Sequence, residues 1–235
     1  MTVYYDLHIH SCLSPCGDED MTPNNIVNMS ILKGLDVIAV TDHNTCGNVR
    51  SVLEVAGDNI LVIPGMEVTT SEEVHVLCYF PTIEQAEAME KVLKENRMPI
   101  KNKAEIFGHQ LYMDAEDKVV GEEEYLLVAA TMLSIDEVVK KAAEIGGIAV
   151  PAHIDKPSYS LISNLGFMPE DLNVTAVEIS PANRKEWEEK YSDYAIITDS
   201  DAHFLGDISE PVYSMDIKNK NIDEFLAKLT NKKYS

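Results

Sequence analysis

Six of the seven histidines lie at or beside the ends of short apolar segments, where their imidazole rings could bind metal ions. These six are His8, His10, His43, His75, His153 and His203. Three acids occupy similar settings, namely Asp18, Glu67 and Asp201. Burying each polar ring without a partner would cost about 2 kcal/mol or more, whereas a shared set of cations would satisfy all of them. The residues therefore indicate a multinuclear metal centre.

The spacing within two of these motifs places side chains on a common face. His8 and His10 are two residues apart in a predicted strand and point to the same side of it, and Asp201 and His203 repeat that spacing. The seventh histidine, His109, lies in a poorly patterned region and is not part of the predicted cluster. Histidine combined with carboxylate suits Zn²⁺, Mn²⁺ or Fe²⁺ and disfavours Mg²⁺ or Ca²⁺ alone. We therefore expect zinc, manganese or iron.

The chain is strongly acidic, with a formal net charge of −21. Because an acidic surface repels polyanions, we expect a small phosphorylated substrate and no long nucleic acid as a partner. Bound cations would reverse the sign of the field locally and attract phosphate. No apolar run approaches the ~20 residues of a membrane span, and the N-terminus lacks the pattern of a signal peptide. We expect a cytoplasmic protein that does not bind membranes.

Three of the four cysteines, Cys12, Cys16 and Cys46, lie close in sequence to predicted metal ligands. A cytosolic chain would keep them reduced. Two interpretations are open. The thiols could fill space around the site as small apolar groups, or they could form an additional thiolate metal site.

Predicted strands alternate with predicted helices along most of the chain. The strands are expected at 3–8, 36–41, 60–64, 74–80, 148–153, 174–179 and 195–198, and the helices at 22–33, 47–56, 82–96, 135–145, 183–191 and 222–229. This alternation is typical of parallel strands covered by helices and favours a closed barrel. Most of the predicted ligands fall at the C-terminal ends of strands, where such folds build their sites. A charged stretch at 97–133 breaks the pattern and predicts an insertion at about 81–146.

Seven segments resemble motifs of the PHP family (polymerase and histidinol phosphatase), whose members are metal-dependent phosphoesterases. They are DLHIHS (6–11), VTDHN (40–44), PGMEV (64–68), EVHVLCYF (73–80), PAHID (151–155), VEIS (177–180) and TDSDAH (198–203). The stretch 99–124 resembles a segment of a small stand-alone PHP subgroup. The resemblance implies one domain over 1–235, an α/β fold in the form of a distorted (β/α)7 barrel with a small inserted segment, and three divalent metal ions at its mouth.

The resemblance also implies how the ligands are shared among three ions. The first ion would be held by His8, His10, Glu67 and Asp201. Glu67 would bridge to a second ion that His75 and His153 also hold, and the third would be held by Asp18, His43 and His203. The loop around Asp18 offers Glu19 and Asp20 as alternative ligands.

The function implied is hydrolysis of phosphoesters on a nucleotide, a nucleoside phosphate or a short oligonucleotide end. A hydroxide that bridges two metals would attack phosphorus. Asp201 and His203 are the candidate catalytic residues, placed to help move protons. Lys156 and Arg184 are candidates for binding the substrate phosphate, with solvated surface charge as the alternative interpretation.

Three acids next to predicted ligands, Asp6, Asp42 and Asp199, are candidates for hydrogen bonding to ligating histidines. Turn or helix-capping roles are the alternative for each.

Two other functions remain compatible with a histidine-rich barrel. One is a metal-dependent amidohydrolase that cleaves carbon–nitrogen bonds, although no lysine lies at a strand end where such enzymes often bridge two metals. The other is a non-catalytic regulatory domain that binds metal for stability. A full set of nine candidate ligands argues against a purely structural site, which is usually closed by four ligands around one ion.

Overall fold

A computed structural model describes residues 1–230, and residues 231–235 of the predicted domain lie outside the described residues. The strands are β1 (Thr2–Ile9), β2 (Val37–Val40), β3 (Leu61–Val62), β4 (Gly65–Thr69), β5 (His75–Tyr79), β6 (Leu111–Met113), β7 (Val119–Glu122), β8 (Ile148–Pro151), β9 (Ala176–Glu178), β10 (Ala195–Ile197) and β11 (Ser214–Asp216). The helices are α1 (Pro23–Leu32), α2 (Val49–Ala56), α3 (Ile83–Glu95), α4 (Ala104–Phe107), α5 (Ile135–Ile145), α6 (Leu161–Leu165), α7 (Arg184–Lys190) and α8 (Ile222–Thr230). The predicted mixed α/β fold is confirmed.

Local sequence signals explain where two of the main helices begin and end. The side chain of Thr22 caps α1 by accepting a hydrogen bond from the backbone N–H of Asn25, and Pro23 occupies the first turn. At the start of α5, Ser134 and Glu137 form a reciprocal capping box. The same helix ends at Gly146, which adopts a left-handed conformation that glycine tolerates best.

The strands form four small sheets, ordered β11-β1-β2-β3, β4-β5-β8, β9-β10 and β6-β7. Pairing is parallel within β1-β2-β3 and between β9 and β10, as the sequence predicts. Pairing within β4-β5-β8 is antiparallel, so the prediction of uniformly parallel strands is wrong there. The cause is the short connection 70–74 between β4 and β5, which leaves no room for a crossover helix. The sheets are not joined into a closed hydrogen-bonded barrel within residues 1–230.

Side chains from separate sheets nevertheless meet in one apolar cluster. Tyr5 and Leu7 of β1, Leu77 of β5, Val150 of β8 and Ile197 of β10 belong to it, and all are nearly or fully buried. The sheets therefore surround a shared interior. A larger cluster packs the outer faces of the strands against the helices. This packing fixes the strand ends relative to one another.

The region predicted as an insertion contributes both to the core and to the surface. Ala86 and Met89 of α3 and Val138 and Ala142 of α5 are buried in the larger cluster. By contrast, the β6–β7 hairpin exposes Val119 and Val120. Insertion boundaries at about 81–146 stay a prediction. No helix among the described residues is both long and apolar enough to cross a membrane.

Candidate metal centre

The structure brings eight of the nine predicted ligands into one cluster, in which six are buried and Asp201 and His203 are partly exposed. They are His8, His10, His43, Glu67, His75, His153, Asp201 and His203. Three overlapping groups each hold ligand atoms within 4.8 Å of one another. These groups are His8–His10–Asp201, His43–Glu67–His75 and His10–His43–His203.

Glu67 lies at the centre of the cluster and is fully buried. It occupies the middle of β4, opposite Leu77 of β5, and His75 at the start of β5 is its diagonal neighbour on the same face. His75 Nδ1 is 2.8 Å from Glu67 Oε1, and His43 Nδ1 is 3.0 Å from Oε2. His153 Nε2 approaches Oε1 at 3.3 Å. Ring nitrogens of β1 also lie within 3.5 Å of it, so one carboxylate contacts nitrogens carried by four separate parts of the chain.

These close approaches are not hydrogen bonds. Both carboxylate oxygens of Glu67, and Nδ1 of His43, lack a hydrogen-bond partner among the described residues although all three atoms are buried. These nitrogen and oxygen atoms therefore lie close together without a geometry suited to hydrogen bonding. Burial raises the pKa of Glu67, but the surrounding His75, His8 and His43 lower it well below its usual range. An ionised carboxylate surrounded by ring nitrogens is a donor set that divalent cations fit.

The histidine pair of β1 faces Asp201. His8 Nε2 and His10 Nε2 are 3.2 Å apart, and each lies 3.3 Å from Asp201 Oδ1. Burial lowers the pKa of His10 to about 3, which keeps its ring neutral and able to bind a cation. Asp201 itself keeps its charge because His8 and His10 outweigh its burial and hold its pKa below the usual range.

Hydrogen bonds to the far nitrogens of these rings set their orientation. His8 Nδ1 lies 3.0 Å from Oε1 of Glu178, which leaves Nε2 facing the cluster. His10 Nδ1 lies 3.0 Å from the hydroxyl of Ser14, which in turn donates to Asp42 at 2.7 Å. Such partners fix the tautomer of a ligating histidine.

Glu178 is the supporting residue that sequence reasoning missed. Its Oε2 also accepts the backbone N–H of His153 at 2.7 Å, so it serves two ligands at once. The signal that could have found it is its position at the end of β9, where it is an acid at the end of an apolar strand. Among the acids proposed for this role, Asp42 acts through Ser14, while Asp6 and Asp199 accept backbone N–H groups.

The third group is built from His10, His43 and His203, and Asp18 is not among its close contacts. The Asp18 carboxylate accepts the backbone N–H of Asp20 at 2.9 Å, as a turn residue does. Its own backbone N–H donates to the carbonyl of His203 at 2.9 Å. Asp18 thus holds the loop against the site through its backbone.

The rings of His43 and His203 both influence the pKa of the Cys16 thiol. Removal of water by its neighbours raises the pKa of this thiol, but hydrogen bonding with His203 and His43 outweighs that effect and lowers it to about 7. Cys16 is exposed. Cys12 and Cys46 are buried, and Cys46 is part of the larger apolar cluster.

Left-handed backbone conformations gather around the site. Asn44, His153, Tyr159 and Asp201 have φ values of 54°, 28°, 53° and 55°. Such conformations cost about 1–3 kcal/mol each in residues other than glycine and cluster at functional sites. The Asn44 side chain donates to the carbonyls of Leu127 and Ala129 and accepts the N–H of Thr69, so the region after β7 is tied to the site.

A cavity of about 150 Å³ opens over the cluster. Lys156 and Tyr159 line it together with several ligand side chains, and the Lys156 ammonium forms an ion pair with Asp201. Arg184, the other candidate for binding phosphate, does not line this cavity. It donates to the Thr198 hydroxyl at 2.7 Å and lies over the ring of Tyr213.

The fold and the cluster define a class, namely α/β proteins with histidines and carboxylates gathered around strand ends in groups that could hold metal. The PHP domain model matches residues 6–233. The chain therefore belongs to the PHP domain family, and the resemblance found in its motifs is confirmed.

Two uncharacterized proteins of Methanocaldococcus jannaschii are similar in sequence. MJ0043 is 26% identical over 167 residues, which cover 71% of this chain and 18% of that protein. MJ1587 is 27% identical over 190 residues, covering 77% of this chain and 83% of that protein. The chain thus spans less than a fifth of one relative and most of the other.

Solved structures share the fold at low sequence identity. The lesion-specific endonuclease EndoQ of Pyrococcus furiosus superposes with a TM-score of 0.71 and 20% identity, covering 98% of this chain and 56% of that one. A Bifidobacterium adolescentis protein, provisionally described as a metal-dependent phosphoesterase, superposes with a TM-score of 0.60 and 18% identity. The match covers 96% of this chain and 94% of that one.

A second structure of Endonuclease Q corrects one expectation from the sequence. It holds a 27-mer duplex with an abasic lesion at the active site, and it superposes with a TM-score of 0.68 over 96% of this chain and 55% of that one. The prediction that long nucleic acid is excluded as a partner is therefore wrong. Net charge is summed over the whole chain, whereas a phosphate responds to the local field, which bound cations dominate.

Proposed function

We propose that this protein hydrolyses phosphoester bonds of nucleotides or nucleic acid strands, with divalent metal ions bound at the histidine–carboxylate cluster. The observation that carries the proposal is Glu67, whose two buried oxygens face His43, His75 and His153 without a hydrogen bond among the described residues. An unpaired buried carboxylate is costly unless a cation completes it.

The cluster has enough donors for three ions. His8, His10 and Asp201 would hold the first, and Glu67 would bridge it to a second that His75 and His153 also hold. His43 and His203 would hold the third. Nitrogen and carboxylate donors favour zinc, manganese or iron. The shared interior of the sheets is consistent with a distorted (β/α)7 barrel whose mouth carries these ions.

Bound divalent ions supply Lewis acidity and lower the pKa of water for attack on phosphorus. The protein's own side chains would position the substrate. Lys156 lies at the cavity wall, where its ammonium can bind a phosphate oxygen once Asp201 has a cation as partner. Nδ1 of His203 lies 2.8 Å from the carbonyl of Asp201, which leaves the other ring nitrogen to bind the third ion.

Nucleic acid as substrate is supported by the duplex-bound relative and by aromatic rings beside the site. Tyr159 is 47% exposed and stacks on His75 with ring centroids 4.8 Å apart. Phe204, directly after His203, is 54% exposed. Exposed rings beside a phosphate site can stack on unpaired bases, which contributes about 1–3 kcal/mol per base.

The test is a hydrolysis panel on the protein loaded with Mn²⁺, Zn²⁺ or Fe²⁺ in turn. Substrates are p-nitrophenyl phosphate, mononucleotides, single-stranded oligonucleotides and a duplex with an abasic site. We expect turnover of at least one nucleic acid or nucleotide substrate, reduced in Glu67→Gln to the level of metal-free protein and retained in Glu95→Gln, an exposed acid of α3.

Hydrolysis of cyclic amides without any phosphoester turnover would replace the proposal with the amidohydrolase function. Metal binding without turnover of either class would favour a regulatory domain.

A further inference from the structure

The loop that joins β8 to α6 contains several of the side chains that line the cavity over the cluster. Lys156, Ser158 and Tyr159 all line that cavity and all lie within residues 152–160. The same loop contains the predicted metal ligand His153. Its conformation therefore decides where an ammonium group, a hydroxyl group and an aromatic ring lie relative to the cluster.

Two residues of this loop have left-handed backbone conformations, which must be held by surrounding contacts. They are His153, with a φ of 28°, and Tyr159, with a φ of 53°. The carbonyl of His153 accepts the backbone N–H of Lys156 at 2.9 Å, and the carbonyl of Tyr159 accepts that of His75 at 2.9 Å. The Ser160 hydroxyl donates to the carbonyl of Lys156 at 2.7 Å. These hydrogen bonds shape the loop and attach its second half to β5.

Asp155 connects the first half of the loop to the segment that follows β9. Its Oδ1 accepts the backbone N–H of Ser180 at 2.8 Å. Its Oδ2 accepts hydrogen bonds from the Ser180 hydroxyl and from the Asn183 side-chain amide, the latter at 2.7 Å. Hydrogen bonds to an ionised carboxylate are about twice as strong as those between neutral groups. Loss of this carboxylate should therefore free the loop from that segment.

The place of Asp155 in the chain decides which cavity residue it affects most. Asp155 is not one of the residues that line the cavity, but it directly precedes Lys156, which is. A displacement of the Asp155 backbone therefore moves the base of the lysine side chain. The lysine ammonium pairs with Asp201 at the edge of the cluster, so its position relative to the ligands depends on that base.

We infer that Asp155 is a positioning residue, which holds Lys156 over the metal cluster by fixing the loop to Ser180 and Asn183. This inference rests on the proposed function, in which Lys156 binds a substrate phosphate. A displacement of about 1 Å in a group that positions substrate can lower the rate about 100-fold. Asp155 would thus affect substrate binding without touching the substrate.

The first test measures the loop itself and does not depend on turnover. Hydrogen exchange of the amides in residues 154–163 is read out by mass spectrometry in the wild type and in Asp155→Ala. We expect about tenfold faster exchange in the variant, because the loop opens more easily. Ser180→Ala and Asn183→Ala each remove one donor and should give smaller increases, which covers the case in which Asp155→Ala folds poorly.

A matched control is Asp114→Ala in the β6–β7 hairpin. The Asp114 carboxylate also accepts backbone N–H groups, those of Glu116 and Lys118, but it is not bonded to the loop. This variant should leave exchange in residues 154–163 unchanged. Equal exchange in the wild type and in Asp155→Ala would overturn the inference.

The second test is a double-mutant cycle between Asp155 and Lys156 on the phosphoester that the wild type hydrolyses fastest. We expect Asp155→Ala to raise KM about tenfold with little change in kcat, as loss of uniform substrate binding does. In protein that already contains Lys156→Ala, the same substitution should change KM less than about twofold, because the two residues act through one contact. Metal content, counted by elemental analysis, should be the same in all four proteins.

Equal KM effects in both backgrounds would show a general structural role and overturn the inference. Lower metal content in Asp155→Ala would do the same, because the loop would then act through His153. Either result leaves the proposed function intact as long as the wild type hydrolyses a phosphoester. No turnover by the wild type on any substrate would overturn the proposed function and, with it, the role of Asp155 in substrate binding.

Discussion

Oε1 of Glu178 lies 3.0 Å from Nδ1 of His8, and both side chains are almost completely buried. The carboxylate fixes the ring so that Nε2 faces the other ligands. Replacing it with an amide removes the charge and allows the ring to bind in the wrong tautomer. We expect Glu178→Gln to weaken metal affinity or activity about 10- to 100-fold. Metal titration followed by calorimetry measures this, with the exposed Glu189→Gln as control; equal affinities in the two variants would exclude the orienting role.

Lys156 and Arg184 lie in different surroundings. Lys156 lines the cavity, whereas Arg184 is bound to Thr198 away from it. A hydrogen bond between charged groups contributes about 1.5–3 kcal/mol, so we expect Lys156→Ala to lower kcat/KM about 10- to 100-fold. Arg184→Ala should leave KM unchanged and lower the melting temperature instead. A raised KM in the arginine variant would restore its predicted role in phosphate binding.

Metal removal should destabilise the protein. Ions that bind only the folded state stabilise it by about 2.7 kcal/mol for each site at a hundredfold excess over Kd. We expect dialysis against a chelator to lower the melting temperature, and added Zn²⁺ to restore it. In Glu67→Gln the difference between the metal-free and zinc-loaded protein should shrink, because the shared ligand is lost. Identical melting curves with and without metal in the wild type would contradict the centre.

The buried phenol of Tyr79 should make the protein less stable in alkaline solution. Burial raises its pKa well above the ordinary value of 10.0, and Asp199 and Glu178 raise it further. A group whose folded-state pKa is raised contributes its stability below about pH 10, and that contribution is lost as the pH rises further. Tyr79→Phe removes the hydrogen bond to the carbonyl of Leu7 and should cost about 1 kcal/mol at pH 7.

Above pH 10 the difference in unfolding free energy between the wild type and Tyr79→Phe should narrow, because phenylalanine has no group that titrates. Chemical denaturation at several pH values measures it, and the exposed Tyr4→Phe serves as control. A constant difference across the range would show that the Tyr79 phenol does not ionise on unfolding.

Tyr159 tests whether bases stack at the site. We expect Tyr159→Ala to weaken binding of single-stranded oligonucleotides about tenfold, within the range for base stacking, and Tyr159→Phe to retain it. Hydrolysis of glycerol phosphate, which has no base, should change little in either variant. Equal losses on both substrates would point to a role in orienting His75 instead.

Much of the fold could be predicted from local patterns. Helix α5 matches its predicted limits because its capping box and terminal glycine are local signals. Strand β4 was missed, since the five residues from Gly65 to Thr69 follow β3 so closely that the pattern reads as one strand and a loop. The antiparallel pairing depends on that missed strand, and pairing direction is not encoded in hydrophobic periodicity.

The histidines and central acids could be identified because a buried polar ring needs a partner wherever it lies. The role of Glu178 could not be predicted from sequence, because it depends on distances between segments far apart in the chain. Asp18 is an acid at a position where the motif has a ligand, but its carboxylate accepts a hydrogen bond from a backbone N–H within its own turn. Loop conformation, which decides such cases, is set by tertiary packing.

The amide of Asn44 connects the backbone next to His43 with the carbonyls of Leu127 and Ala129. The segment that precedes α5 is therefore hydrogen-bonded to the residue that follows the predicted metal ligand His43. Substitutions in that segment would change the orientation of the His43 ring, and with it the choice of substrate, while every metal ligand stays the same. Relatives with an identical set of metal-binding residues could in this way diverge in specificity.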